Sequence, residues 1–183
     1  MQFNDTQDDF YQMNYEWYKA KLKRFNSEDR YQAELKVLKD ELEHLPSVNT
    51  VLDYGCGTGY AMRYLSKYFD VYGYDRFCYY EGDLSKFNQS GIVYDAVYFM
   101  HSINHIPNIS TRMEWFRKLL RDDGYIIIIT PNISHLPEGH KADPTVIEYL
   151  EPIAIHGAFS LGGFIFTKAD YTETYAILIF QKK

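Results

Sequence analysis

One ten-residue stretch, VLDYGCGTGY from Val51 to Tyr60, limits the fold of this chain more than any other, because it sets a buried apolar run directly against three glycines. Glycine lets a backbone turn sharply and approach a ligand with no Cβ in the way. Gly55, Gly57 and Gly59 therefore predict a tight loop between a strand, Thr50 to Tyr54, and a helix, Gly59 to Tyr68. Twenty residues after Gly55, Asp75 closes a second strand-like run, Val71 to Asp75. A carboxylate at that point of a doubly wound sheet faces the crevice, where it can accept hydrogen bonds from both hydroxyls of a ribose. Strand, loop, helix, strand and terminal acid in this order predict a site for a nucleoside-type cofactor.

The rest of the chain repeats the same alternation. Ala96 to Met100 and Tyr125 to Thr130 read as further strands, and four successive isoleucines, Ile126 to Ile129, suit a parallel strand covered on both faces. Ser110 to Arg121 reads as the helix between them, with Thr111 and Glu114 at capping-box spacing and Asp122 to Gly124 as its exit turn. Phe164 to Lys168 and Thr174 to Gln181, joined by a polar turn at Ala169 to Glu173, leave no room for a helix and predict an antiparallel hairpin at the sheet edge. Ahead of all this, Tyr31, Leu35, Leu38, Leu42 and Leu45 form the stripe of an amphipathic helix running from an N-cap at Ser27 to Pro46, and Phe10 to Phe25 reads as an earlier helix. The chain is thus read as α/β with three αβα layers: a helical cap over residues 1–46 and one globular unit over 47–183.

Several function classes are disfavoured. A formal charge of −6 argues against a surface built to neutralise phosphates of nucleic acid. Lys19, Lys21, Lys23 and Arg24 read as a solvated helix face among acids. Cys56 and Cys78 have no partner spacing for a zinc site or a disulfide framework and read as free thiols. His135, His140 and His156, with Glu138 and Asp143 nearby, match no trusted ligand pattern and read as polar loop residues, so no metal is expected. No apolar run reaches the roughly 20 residues that cross a bilayer. The start MQFNDTQDDF carries acids where a secretory signal carries bases, which predicts a cytoplasmic protein.

Tyr60 stands where a dinucleotide-binding turn wants glycine or alanine, which disfavours a nicotinamide cofactor and an oxidoreductase. With Asp53 as its leading acid, the loop instead resembles motif I of the class I, Rossmann-like S-adenosylmethionine-dependent methyltransferases. The resemblance runs from about Val48 to Lys183 and takes in the hairpin, since that family's seven-stranded sheet carries its last strand antiparallel. It implies S-adenosylmethionine as cofactor and S-adenosylhomocysteine as product. It also implies that Asp53, Gly55 and Gly57 contact the methionine moiety within the loop that includes Tyr54, Cys56 and Gly59. Asp75, followed by Arg76, would hold the ribose; Asp83 would meet the adenine amino group, with Leu84 beside it; Met100 and His101 would line the methyl-transfer site. His105 falls where many small-molecule methyltransferases carry a histidine and is the candidate base, its ordinary pKa being suited to proton removal near neutrality.

The chain departs from the family between Asp75 and Asp83, where Arg76 to Gly82 provide seven residues in place of a helix and a strand. Even a bare crossover needs about ten to twelve. The second helix is therefore missing, Phe77 to Tyr80 is at most a stub of strand three, and the Asp83 contact is in doubt. Exposed apolar sheet surface would then need cover from the tyrosine-rich N-terminal helices or from a second subunit, which raises a homodimer.

The segment after the fourth family strand, Met100-His101-Ser102-Ile103, lacks the Asn/Asp-Pro-Pro-aromatic run of enzymes acting on exocyclic amino groups of bases. A small-molecule acceptor is therefore expected. Phe3, Phe10, Tyr11, Tyr15, Trp17 and Tyr18 could close a lid over it or only pack helices, and Pro131 with Asn132 could shape its pocket or only turn the chain. The competing reading is a binding module without catalysis, for S-adenosylmethionine, a nucleotide or a partner, left by the shortened second unit.

Overall fold

The computed structural model describes residues 15–26, 29–77, 84–132 and 146–183. The expected cap at Ser27, and Cys78, Asp83, His135, Glu138, His140 and Asp143, lie outside these residues, as do Phe3, Phe10 and Tyr11.

Helix α1 (Tyr15–Asn26) and helix α2 (Asp29–His44) precede strand β1 (Thr50–Tyr54), helix α3 (Tyr60–Leu65) and strand β2 (Asp70–Tyr74). Strand β3 (Tyr94–Met100), helix α4 (Met113–Leu119) and strand β4 (Leu120–Pro131) follow, then helix α5 (Pro152–Leu161) and the hairpin strands β5 (Phe164–Tyr171) and β6 (Tyr175–Lys182). These strands form one six-stranded sheet in the order β2-β1-β3-β4-β6-β5. The first four run parallel, and β6 lies antiparallel between β4 and β5. The α/β class, the parallel sheet and the antiparallel hairpin are as expected.

The isoleucines of β4 show how the layers are built. Ile127 and Ile129 pack with Tyr31, Leu35, Leu38 and Leu42 of α2 and with Ala61, Met62 and Leu65 of α3. Ile126 and Ile128 point the other way, onto Met113 and Phe116 of α4 and Ile155 and Phe159 of α5. Both faces of one strand are thus buried, as a parallel sheet between two helical layers requires.

Four local expectations are corrected. Helix α3 ends at Leu65 instead of Tyr68. No capping box opens α4: Thr111 Oγ1 donates to Asn108 O at 2.8 Å within a preceding 3-10 turn, and Arg112 occupies the cap position. The exit turn at Asp122 to Gly124 is folded into β4 as an irregularity, with Asp123 at φ 61°, so that Leu120 pairs with Tyr94 and Tyr125 with Ala96. The region of His156 is no loop but the body of α5, which Pro152 opens as its first helical residue. That helix escaped detection because PIAIHGAFSL is apolar all round: Ile155 and Phe159 are buried while Ile153 and Leu161 are exposed. The hairpin strands also run further than expected, with Tyr171 still paired to Ala176.

Of the expected remnant of a third family strand, Phe77 to Tyr80, only Phe77 lies among the described residues, in a bend; on the side of β2 away from β1 the described residues carry a parallel bridge from Gly73 to Phe87. Asn88 secures it: its N–H donates to Gly73 O at 2.8 Å, its Oδ1 accepts from Asp75 N at 3.0 Å, and its Nδ2 donates to Asp75 O at 3.0 Å. One side chain thereby replaces part of a missing ladder. Across the strand, a Cβ on Gly73 would collide with Met62 Sδ and lie 2.9 Å from Cys56 Sγ. Gly73→Ala should therefore lower stability by about 1–3 kcal/mol through overpacking against α3 and the glycine loop. Chemical denaturation checks this, and an unchanged midpoint would show that Met62 yields at no expense.

Candidate functional site

Strands β1 and β2 lie parallel with Asp53 opposite Gly73 and Tyr54 opposite Tyr74, so the loop leaving β1 and the acid leaving β2 emerge level with each other. Tyr74 O then accepts from Gly55 N at 2.7 Å and Cys56 N at 3.1 Å, which holds the loop against β2. Gly55 and Gly57 turn through the left-handed region at φ 84° and 53°. A Cβ at Gly55 would also clash with Ser102, whose hydroxyl donates to Tyr54 O. The turn delivers Gly57 N to Asp75 Oδ2 at 2.8 Å, while Phe77 N donates to Asp75 Oδ1 at 2.9 Å. Loop and acid therefore face each other across one crevice. Leu22 of α1 roofs it, 3.3 Å from where a Gly57 Cβ would stand.

Beneath the loop, Asp53 is 1% exposed. Burial pushes its carboxyl up to about 8, the charge of Asp75 adds to the rise, and the Tyr98 hydroxyl pulls the other way. Asp53 Oδ1 has no hydrogen-bond partner among the described residues. Burial likewise lifts Asp75 to about 6, against the pull of the backbone N–H groups of Phe77, Gly57 and Arg76. A buried acceptor left open, beside a second carboxylate, is an unfavourable arrangement unless a cationic or N–H-bearing group arrives to meet it. The methionine amino group and the ribose hydroxyls of an adenosyl donor fit these two positions, and the glycine turn leaves the space that such a ligand needs.

The other expected residues divide. Cys56 is buried in the loop. Gly59, at φ 73°, precedes α3 and donates to Cys56 O at 2.8 Å. The Tyr54 ring turns away from the crevice, stacking on Tyr74 at 4.8 Å and meeting Trp115 and Phe116 edge-on. Arg76 reaches over the Phe77 ring at 5.5 Å. Leu84 opens a 3-10 turn that ends at Lys86, while its neighbour Asp83 lies outside the described residues. Met100 is buried on the α2 side. His105 ends the 3-10 turn Ile103–His105, half-buried, and its N–H donates to Ser102 O at 3.1 Å. Asn132 is tied to the hairpin turn through Thr172 O at 3.0 Å and Thr174 O at 3.0 Å.

His101 engages helix α2 through its ring. Its ring nitrogen Nε2 lies 2.5 Å from Glu34 Oε2, and Arg30 Nε lies 3.4 Å from the other oxygen of that carboxylate. Sequence reasoning missed Glu34, Arg30, Tyr98 and Asn88. Glu34 was detectable in principle, because it shares the buried stripe of α2 with Tyr31, Leu35, Leu38 and Leu42, an odd place for a carboxylate. Among the described residues no group of three or more His, Cys, Asp or Glu could hold a metal, and no helix is long and apolar enough to cross a membrane.

Residues 24–160 match the protein family described as Methyltransferase domain. Solved structures share the fold. A SAM-dependent methyltransferase from Aquifex aeolicus superposes with a TM-score of 0.70 at 14% identity, covering 90% of this chain and 98% of that one. DesVI of Streptomyces venezuelae gives 0.66 at 14% identity, with 90% and 97% covered. A SAM-dependent methyltransferase from Archaeoglobus fulgidus gives 0.62 at 16% identity, with 87% and 99% covered. No curated protein matches the sequence. Such low identities speak for the fold alone, but the family match spans well over half of the chain, and with the Rossmann-like sheet and its glycine loop it identifies the chain as a member of the methyltransferase domain family.

Proposed function

We propose that this methyltransferase uses S-adenosylmethionine to methylate a small-molecule acceptor. The observation that carries the reading is the meeting of the glycine loop and Asp75 above the buried carboxyl of Asp53. When bound, S-adenosylmethionine supplies a methyl group on a sulfonium, and the carbon–sulfur electron pair leaves with sulfur as S-adenosylhomocysteine. An in-line displacement of this kind needs alignment and exclusion of water more than elaborate side-chain chemistry. Asp53 and the backbone of Gly55 and Gly57 hold the methionine end. Asp75 takes the ribose hydroxyls, giving up one of its loop contacts, Arg76 and Leu84 border the adenine, and Asp83, outside the described residues, is the candidate for the adenine amino group. Met100, His101 and His105 border the acceptor.

A compact acceptor is supported by the close roof that Leu22 makes over Gly57, and by a net charge of −6, which is a poor match to a polyanion. The outer edge of β2, which among the described residues carries only the Gly73–Phe87 bridge, supports self-association there. Light scattering should accordingly show a dimer, and a monomer across a wide concentration range would count against it.

Two titrations test the cofactor assignment. Calorimetry should detect S-adenosylhomocysteine binding to the wild type and none to Asp75→Ala, whose unfolding curve should stay intact; equal affinity in the variant would remove Asp75 from the site. Binding should also release protons. A carboxyl raised to about 8 is mostly protonated at neutral pH, and an arriving ammonium favours its ionised form. Between pH 7 and 8, above the range where Asp75 titrates, the wild-type binding enthalpy should vary with the ionisation enthalpy of the buffer, and Asp53→Asn should remove most of that variation. Donor binding without turnover of any acceptor would favour the binding module instead.

A further inference from the structure

One peptide group, joining Tyr54 to Gly55, is held at both ends. Its N–H donates to Tyr74 O on β2 at 2.7 Å, and its carbonyl accepts from the hydroxyl of Ser102, just past the tip of β3. Gly55 then leaves at φ 84°, so this clamp sets the direction in which the glycine loop departs from β1. Ser102 also fills the space against the loop, since a Cβ on Gly55 would overlap its Cβ. The serine is aimed by the residue before it. His101 N donates to Ile129 O at 2.9 Å, tying it to β4, and the His101 backbone then takes φ 57°. That left-handed conformation is unfavourable for a residue with a Cβ, and glycine would adopt it more readily. The histidine ring is anchored in exchange: its Nε2 lies 2.5 Å from Oε2 of Glu34, a residue of α2 with 0% exposure. Arg30 Nε lies 3.4 Å from the other oxygen of that carboxylate.

An apolar residue at position 34 would extend the stripe of α2, and such replacements of buried ion pairs are often neutral or stabilising, so the fold alone gives no reason for an acid there. The same helix reaches the far flank of the loop. Gln32 Nε2 donates to the Tyr60 hydroxyl at 3.0 Å, directly after Gly59, and the Tyr31 ring stands between, 6.0 Å from that of Tyr60 and 6.3 Å from that of His101. We propose that Glu34 and Ser102 are positioning residues for the methionine end of the cofactor, an inference that rests on the cofactor reading above. Glu34 holds the His101 ring and with it the left-handed turn. The turn delivers the Ser102 hydroxyl, which orients the peptide from Tyr54 to Gly55 before any ligand arrives. A loop set in advance loses less freedom on binding, so the affinity gained is that of preorganisation and neither residue touches the ligand. Asp75, at the adenosine end, is held by other means, through Asn88 and the Phe77 N–H.

Calorimetry of the full chain with two ligands separates positioning from general loosening. S-adenosylhomocysteine carries the amino-acid chain that the loop would hold, whereas 5′-methylthioadenosine keeps the adenosine and the sulfur without it. Ser102→Ala should weaken S-adenosylhomocysteine about tenfold, the worth of one hydrogen bond, and leave 5′-methylthioadenosine binding as before. Glu34→Leu should show the same split while unfolding at no lower denaturant concentration. Glu34→Gln keeps an acceptor for the ring nitrogen and should recover most of the affinity. In the unliganded protein, the amide resonances of Gly55 and Gly57 should move in Ser102→Ala and in Glu34→Leu. Equal weakening of both ligands would overturn the proposal, because a loosened fold does not distinguish them. So would wild-type affinity for S-adenosylhomocysteine in Ser102→Ala, even if Glu34→Leu failed to fold. A wild type that binds neither ligand would instead sink the cofactor reading, and the two glycine resonances would still decide whether Glu34 and Ser102 set the loop.

Discussion

The hydrogen bond from Gly57 N to Asp75 is the contact on which the site depends, because it joins two segments that only the sheet can bring level. A loop of three glycines has little stiffness of its own, and an aspartate after a strand has many rotamers. Parallel pairing of β1 and β2 fixes their offset, and Tyr74 O holds the first two loop amides before the chain turns to Asp75. Asn88 then grips the backbone of Asp75 on the outer side, where the family would have another strand. Asn88 therefore holds the acid in place on the side of β2 away from β1. Position at the strand tip is preserved by side-chain hydrogen bonds in place of a ladder, a local substitution that the backbone's need for partners makes intelligible.

The electrostatics of the crevice follow from this placement. Asp53 and Asp75 are brought close enough for the charge of one to raise the other, and both are raised mainly by burial. A protein that needed only a tight turn would gain nothing from two carboxyls in that position. A protein that must receive an ammonium and a pair of hydroxyls gains an attractive field in a site of low dielectric, where such contacts are stronger than in water.

Much of the fold was legible because its signals were local and agreed with one another. The apolar run before Gly55, the acid at position 75 and four isoleucines in succession each have one economical structural meaning, and the sheet honours all three. Where reading failed, a nonlocal factor decided. Helix α5 is apolar on every side, so no periodicity marks it; its boundaries come from Pro152 and from packing against the hairpin, as when Phe159 stacks on Phe180 at 4.9 Å. The bridge from Gly73 to Phe87 forms where Asn88 finds its partners on Gly73 and Asp75, a fact of three dimensions that spacing does not reveal. Within the site, the glycine loop and Asp75 could be read from order alone. The joining of Glu34 to His101 could not, since 67 residues separate them.

That last pairing alters how the N-terminal helices are to be regarded. If α2 served only to cover the sheet, Tyr31, Leu35, Leu38 and Leu42 would suffice, and a carboxylate among them would be a liability of several kcal/mol before its partners are counted. Arg30 and His101 offset that penalty, but the histidine can do so only by accepting a left-handed backbone at the strand tip nearest the glycine loop. Strain at one end and buried charge at the other are thus two halves of one arrangement, and each is tolerable only because of the other. Helix α1 adds Leu22 above Gly57, so both N-terminal helices reach the crevice by named side chains. The cap is therefore bound to the sheet at the strand ends that carry the glycine loop and His101, by Leu22 on one helix and Glu34 on the other.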